Sequence, residues 1–190
     1  MTTLLGPIPF AHTLLTQTVK QGDTVIDATA GNGHDTLFLA KIVGDTGHVI
    51  GTDIQPAAIA RTTERLKTAG VNDRVSLYCQ GHETLEEISA FRNSVIAGAI
   101  FNLGYLPRGD KSITTTGSAT VHALHTILSQ LKQHGLVVLV IYSGHETGKK
   151  ERDTVLNNVT ALSQTDFHVL QYAFINQQND PPFVIAIEKR

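Results

Sequence analysis

Short apolar runs alternate along the chain with longer segments of helical period, and this rhythm organises nearly all of it. After an amphipathic opening helix near residues 10–20, strand-like runs occupy 24–28, 47–52, 75–79, 95–101, 136–142, 169–175 and 183–188. Helices fill the intervals between the first six. Repeated β-α units of this kind predict a parallel sheet covered by helices on both faces. The last interval, 176–182, is too short for a crossover helix, so the final strand must run antiparallel to its predecessor. The expected fold class is therefore α/β, a seven-stranded, mostly parallel sheet closed by one reversed strand.

Composition narrows the classes. With 190 residues, 41% of them hydrophobic, the chain supplies one substantial core, and a single domain over 1–190 is expected. No apolar run approaches the ~20 residues that span a bilayer, and the first residues lack the pattern of a signal peptide, so the expectation is a soluble cytoplasmic protein that does not engage a membrane. A net charge of −2 excludes a broad basic coat of the DNA-binding type. RNA contact would have to come from local patches such as Lys149-Lys150-Glu151-Arg152, a run that also reads as a solvated helix end. The single cysteine, Cys79, forbids an intrachain disulfide and is expected to be buried within its apolar run.

The first strand leads into Asp27-Ala28-Thr29-Ala30-Gly31-Asn32-Gly33-His34-Asp35-Thr36, a Gly-x-Gly turn opening a helix. Twenty residues past Gly33, the second strand ends at Asp53, the place from which a carboxylate reaches both hydroxyls of a ribose. Dinucleotide folds carry a third glycine where this chain has Thr36. Asp35 in the first helical turn would also repel a phosphate at the same amides. S-adenosylmethionine carries no phosphate but does carry a sulfonium and an ammonium, so Asp27 and Asp35 favour it. Residues 27–33 resemble the first motif of class I methyltransferases, which have a Rossmann-like fold.

Ligands of open α/β sheets lie beyond the carboxyl ends of the strands, near the reversal of strand order. There the fourth strand runs into Asn102-Leu103-Gly104-Tyr105-Leu106-Pro107, which resembles the Asn/Asp-Pro-Pro-Tyr motif of amino-group methyltransferases. Positive charge grows on nitrogen during methyl transfer to an amine, so the Asn102 side chain and the Leu103 carbonyl are candidate acceptors for its hydrogens. Tyr105 is read either as a stacking platform for a planar acceptor or as a core or lid aromatic. An alkyl ammonium must lose a proton before it attacks, and Asp110, His145 and Tyr142 are the candidate bases, none singled out by its neighbours. Arg108 and Lys111, in the polar connection 104–118, are candidate phosphate contacts, with Tyr142 as a further substrate contact. The transfer needs no metal, and the sequence has no closely spaced Cys/His cluster of the structural zinc type.

These segments, with Gly109-Asp110-Lys111-Ser112-Ile113-Thr114-Thr115 and Phe174-Ile175-Asn176-Gln177-Gln178-Asn179-Asp180-Pro181-Pro182-Phe183, make the chain similar over nearly its whole length to one family. It is the family of small bacterial enzymes labelled "putative rRNA methylases" and understood as tRNA 5-aminomethyluridine methyltransferases. The resemblance implies methylation of the aminomethyl group on a tRNA wobble uridine, with S-adenosylmethionine as donor and the anticodon stem-loop as partner. It also implies a cofactor pocket of Asn32, Asp53, Ile54, Gln55, His82 and Asn102 around the Gly31–Gly33 turn, and a homodimer. Two other readings compete: methylation of rRNA or of a small-molecule amine, and a non-catalytic domain that binds a nucleotide or a nicotinamide cofactor.

Overall fold

A computed structural model describes residues 3–104, 115–144 and 146–190. Among them, strands β1 (Thr24–Asp27), β2 (His48–Thr52), β3 (Val75–Tyr78), β4 (Ile96–Leu103), β5 (Leu131–Ile141), β6 (Phe167–Tyr172) and β7 (Phe183–Lys189) form one sheet in the order β3-β2-β1-β4-β5-β7-β6. β1 to β5 pair in parallel, and β7 inserts between β5 and β6, antiparallel to both. The strand order reverses between β1 and β4, which opens a crevice at their carboxyl ends.

Alternation along each strand sends side chains to two cores. Val25, Val49, Ile100, Val138 and Val140 pack on one face against Ala11 and Leu15 of α1 (Pro7–Thr18), Leu39 and Ala40 of α2 (His34–Ile42) and Leu66 of α3 (Pro56–Thr68). Ile26, Ile50, Phe101, Val137 and Leu139 pack on the other, against Ala123, Leu124 and Ile127 of α5 (Gly117–Gln130) and Val155 and Val159 of α6 (Glu146–Thr160). Neighbouring residues of one strand therefore serve opposite cores, as a sheet covered on both faces requires.

Several local expectations are corrected. Between β3 and β4 the chain forms a 3₁₀ segment, His82–Glu87, and the single-turn helix α4, Ser89–Arg92, in place of a full helix. The buried residues Leu85, Ile88 and Phe91 anchor these short turns and the extended residue between them to the core. β5 begins at Leu131, residues 132–135 bulge out of register with His134 at φ 60°, and only from Leu136 does pairing resume. β4 extends to Leu103, so Asn102 sits on a strand. The outer strand β6 ends at Tyr172, leaving Ile175 98% exposed in the following connection. Cys79 lies one residue beyond β3 and is exposed, because β3 is an edge strand. The Lys149–Arg152 run lies inside α6: its Glu151 is buried, while Lys149 and Arg152 pair with Asp180 at 3.6 and 3.7 Å.

Candidate active site

The turn after β1 is a set of backbone constraints. Gly31 and Gly33 take φ of 55° and 77°, a left-handed conformation that costs a side-chain-bearing residue ~1–2 kcal/mol. A Cβ on Gly33 would lie 2.9 Å from the Thr62 side chain of α3, so only glycine lets α2 start here. The Ala30 and Gly33 amides close the turn on the Thr52 and Ala30 carbonyls at 2.9 and 2.7 Å. Asn32 is held from α3, with Arg61 donating to its Oδ1 at 2.9 Å and Arg65 to its carbonyl at 2.7 Å.

Just past β2, Asp53 accepts the Gly31 amide on Oδ2 and the Gln55 amide on Oδ1, both at 2.8 Å. These two bonds fix the carboxylate and leave further lone pairs for two hydroxyl donors. Past β3, His82 is buried, edge-on to Phe101, with Nδ1 3.1 Å from the Ala28 carbonyl. A carbonyl only accepts, so Nδ1 carries the hydrogen and Nε2 presents a lone pair, which has no partner. Burial pushes this imidazole below its ordinary range, so it is neutral at pH 7.

On the other side of the crevice, the Asn102 amide N–H donates to Thr29 Oγ1 at 2.7 Å, and its side-chain Nδ2 donates to Asp35 Oδ2 at 3.1 Å. Because the carboxylate can only accept, the nitrogen of the amide must face it, and Asn102 Oδ1 is left as an acceptor. Asp35 also receives His12 from α1, Nε2 to Oδ1 at 2.7 Å. The Leu103 carbonyl already accepts the Tyr142 amide at 3.3 Å. Burial, and then the nearby Asp35 charge, pushes the Tyr142 phenol above its ordinary range, so at neutral pH it is a hydrogen-bond donor and not a base. Thr115 donates to the buried Glu151 at 2.6 Å and its hydroxyl accepts the Gly104 amide at 3.1 Å, which ties the end of β4 to α6.

One cavity of about 1200 Å³ joins these groups. Gly31, Asn32, Asp35, Asp53, Ile54, Gln55, His82, Asn102, Leu103 and Tyr142, all singled out from the sequence, lie in its wall. Asp27 and Gly33 do not. Asp27 is wholly buried behind the turn, accepting the Thr36 hydroxyl at 2.6 Å and the Thr29 amide at 3.1 Å. Burial, with Asp35 adding, pushes its carboxyl up to about 7. Tyr105, Arg108, Asp110, Lys111 and His145 lie outside the described residues. His12, Ile8 and Thr29 also line the cavity, although the sequence reading passed over them. Ile8 and His12 stand one helical turn apart on α1, but nothing in the sequence says that α1 folds over the end of β4.

The cavity suits a cationic nucleoside. Asp35 and Asp53 line it, the twin amide clamp on Asp53 matches a diol, and the orphan His82 Nε2 matches an exocyclic amine.

Comparison with known proteins gives the same picture. Residues 49–188 match the family described as "Putative rRNA methylase". The chain is 37% identical over 187 residues to the chloroplastic tRNA (mnm(5)s(2)U34)-methyltransferase of Arabidopsis thaliana, covering 94% of this chain and 68% of that one. A crystal structure described as a putative rRNA-methylase from Clostridium thermocellum superposes with a TM-score of 0.96 at 41% identity, over 100% of both chains. A putative methyltransferase from Streptococcus mutans, solved in complex with SAH, superposes with a TM-score of 0.89 at 36% identity, over 99% of this chain and 100% of that one. This chain belongs to the "putative rRNA methylase" family of class I S-adenosylmethionine-dependent methyltransferases.

Proposed function

We propose that this enzyme methylates the primary amine of a 5-aminomethyluridine, or its 2-thio form, at the wobble position of tRNA, giving the methylaminomethyl nucleoside. The observation that carries the reading is the Asn102 amide, turned by Asp35 so that its carbonyl oxygen is the free acceptor in the same cavity as Asp53 and the glycine turn. An acceptor oxygen there suits a nucleophile that keeps N–H hydrogens throughout the transfer, as an alkyl amine does. The name of the Arabidopsis relative supports the nucleoside.

When bound, S-adenosylmethionine supplies an electrophilic methyl on a sulfonium. Asp53 would take the ribose hydroxyls, and His82 Nε2 the adenine amine. Asp35 would face the cationic methionine end. Asn102 Oδ1 would accept an N–H of the attacking amine and hold the nitrogen as positive charge grows on it, an interaction stronger in the transition state than with the neutral amine. At about 1200 Å³ the cavity is larger than the roughly 300–1,000 Å³ of a pocket for one small ligand, which supports a donor and a nucleobase bound together. A wobble base lies in a single-stranded loop and is presented with less unstacking than a base in a duplex. Such presentation asks for less binding energy from a chain whose net charge is −2.

The test is nucleoside mass spectrometry of tRNA carrying 5-aminomethyl-2-thiouridine after incubation with enzyme and S-adenosylmethionine. The expected product is the nucleoside one methyl heavier. No product from a protein that binds the donor by calorimetry refutes the substrate assignment, and methyl transfer to rRNA or a small amine in its place would redirect it.

A further inference from the structure

We propose that His12, on the opening helix, takes the proton that the acceptor ammonium must lose before its nitrogen can attack, and that Asp35 holds the imidazole for this task. The inference rests on the amine substrate proposed above and adds the group that activates it. His12 lines the cavity together with Asn102 and Tyr142. Its ring lies flat on Phe38, centroids 3.8 Å apart and planes 6° from parallel, and its Nε2 is 2.7 Å from Asp35 Oδ1. Stacking and hydrogen bond together fix both the plane and the in-plane rotation of the ring.

The tautomer follows from the partner. A carboxylate offers only lone pairs, so His12 Nε2 carries the hydrogen and the neutral ring keeps its lone pair on Nδ1. Asp35 thereby sets two groups at once: one oxygen orients the imidazole as a base, the other turns Asn102 so that its oxygen accepts. A carboxylate that orients an imidazole and stabilises its protonated form is the arrangement by which hydrolases make histidine a general base. Among the described residues, the other titratable groups lining this cavity are His34 and Asp35 of α2, Asp53 after β2, His82 and Glu83 after β3, Tyr142 after β5 and Asp180 before β7. Of these, Asp35 is the one bonded to His12. Tyr142 is protonated at neutral pH, and His82 is tied into the wall by Ala28.

In the step itself, an N–H bond of the ammonium breaks, its proton passes to His12 Nδ1, and the electron pair stays on nitrogen. That pair forms the new nitrogen–carbon bond while the carbon–sulfur pair leaves with sulfur. The His12 side chain is 26% exposed, so the proton can pass on to solvent.

The experiment compares wild type with His12→Asn and His12→Gln on aminomethylated tRNA from neutral to alkaline pH. Loss of a general base costs on the order of 10²-fold at neutral pH. The deficit is expected to shrink as the pH rises and the amine loses its proton unaided, with donor affinity by calorimetry held within about threefold, well short of the general-base effect. A rate deficit that is the same at every pH, in whichever variant folds, overturns the inference. Independently of turnover, nitrogen-15 NMR of the ligand-free protein in mildly alkaline buffer should show His12 protonated on Nε2, and a Nδ1-protonated ring would refute the assignment. A wild type that methylates no aminomethyluridine at any pH overturns the substrate reading and this inference together, whereas a normal wild type with a pH-independent variant deficit overturns this inference alone.

Discussion

Asp27 should make the ligand-free protein lose stability as the pH rises from acid to neutral. Its carboxyl is wholly buried and pushed up from 3.8 to about 7, first by burial and then by Asp35. Between those two values the unfolded chain has released the proton and the folded one still holds it. Stability therefore falls with rising pH throughout this window, and is flat for this group below about 4 and above about 7. About three pH units at roughly 1.4 kcal/mol each give a loss on the order of 4 kcal/mol. Asp27→Asn removes the charge and keeps an oxygen for the Thr29 amide, at a cost of about 1 kcal/mol for the Thr36 hydroxyl bond it disturbs. Urea unfolding at constant ionic strength should show the variant equal to or slightly less stable than wild type near pH 4, and about 2–3 kcal/mol more stable above pH 7. A difference between the two proteins that does not change with pH refutes the reasoning, because it means that Asp27 is ionised in the fold at no cost.

Three further outcomes follow from the site. Asp53→Ala removes the carboxylate clamped by the Gly31 and Gln55 amides and should weaken S-adenosylmethionine binding on the order of 30-fold, about 2 kcal/mol; calorimetric affinity equal to wild type contradicts the ribose role. Asn102→Ala should lower kcat on the order of 10²-fold with donor affinity nearly intact, and the reverse split would mean that Asn102 serves the donor and not the amine. Gly33→Ala combines φ 77° with a contact at 2.9 Å to Thr62 and should destabilise the protein by about 2–4 kcal/mol in urea unfolding; a loss under 1 kcal/mol, on the scale of an ordinary surface substitution, would show that the turn has another way to close.

The sheet and its reversed strand were legible because the central strands are apolar on both faces and the interval before β7 is too short for a helix. The meeting of the glycine turn with Asp53 was legible too, since one turn and one carboxylate at fixed spacing foreshadow it: Gly31 and Asp53 are joined by a 2.8 Å bond. Local irregularities were not. The three-residue spacing of Leu85, Ile88 and Phe91 passes for one helix in an apolar pattern, and the bulge at 132–135 looks like a loop because Lys132, Gln133 and His134 are polar. Cys79 read as buried because the sequence does not say which strand is outermost. His12 carries no sequence signal, because its partners, Phe38 and Asp35, are 26 and 23 residues away and meet it only when α1 folds across the carboxyl end of the sheet. Long-range pairs of this kind carry no local pattern, whereas the glycine turn does.

In the proposed reaction a sulfonium donor and a nucleoside amine meet in a single cavity beside Asn102. A crystal structure of the enzyme with S-adenosylhomocysteine and an anticodon stem-loop bearing 5-aminomethyluridine tests this directly. The predicted result has the sulfur between Asp53 and Asp35, and the amine nitrogen in line with it, bonded to Asn102 Oδ1. A stem-loop whose modified base lies outside the cavity, or a donor seated away from Asp53, would contradict it.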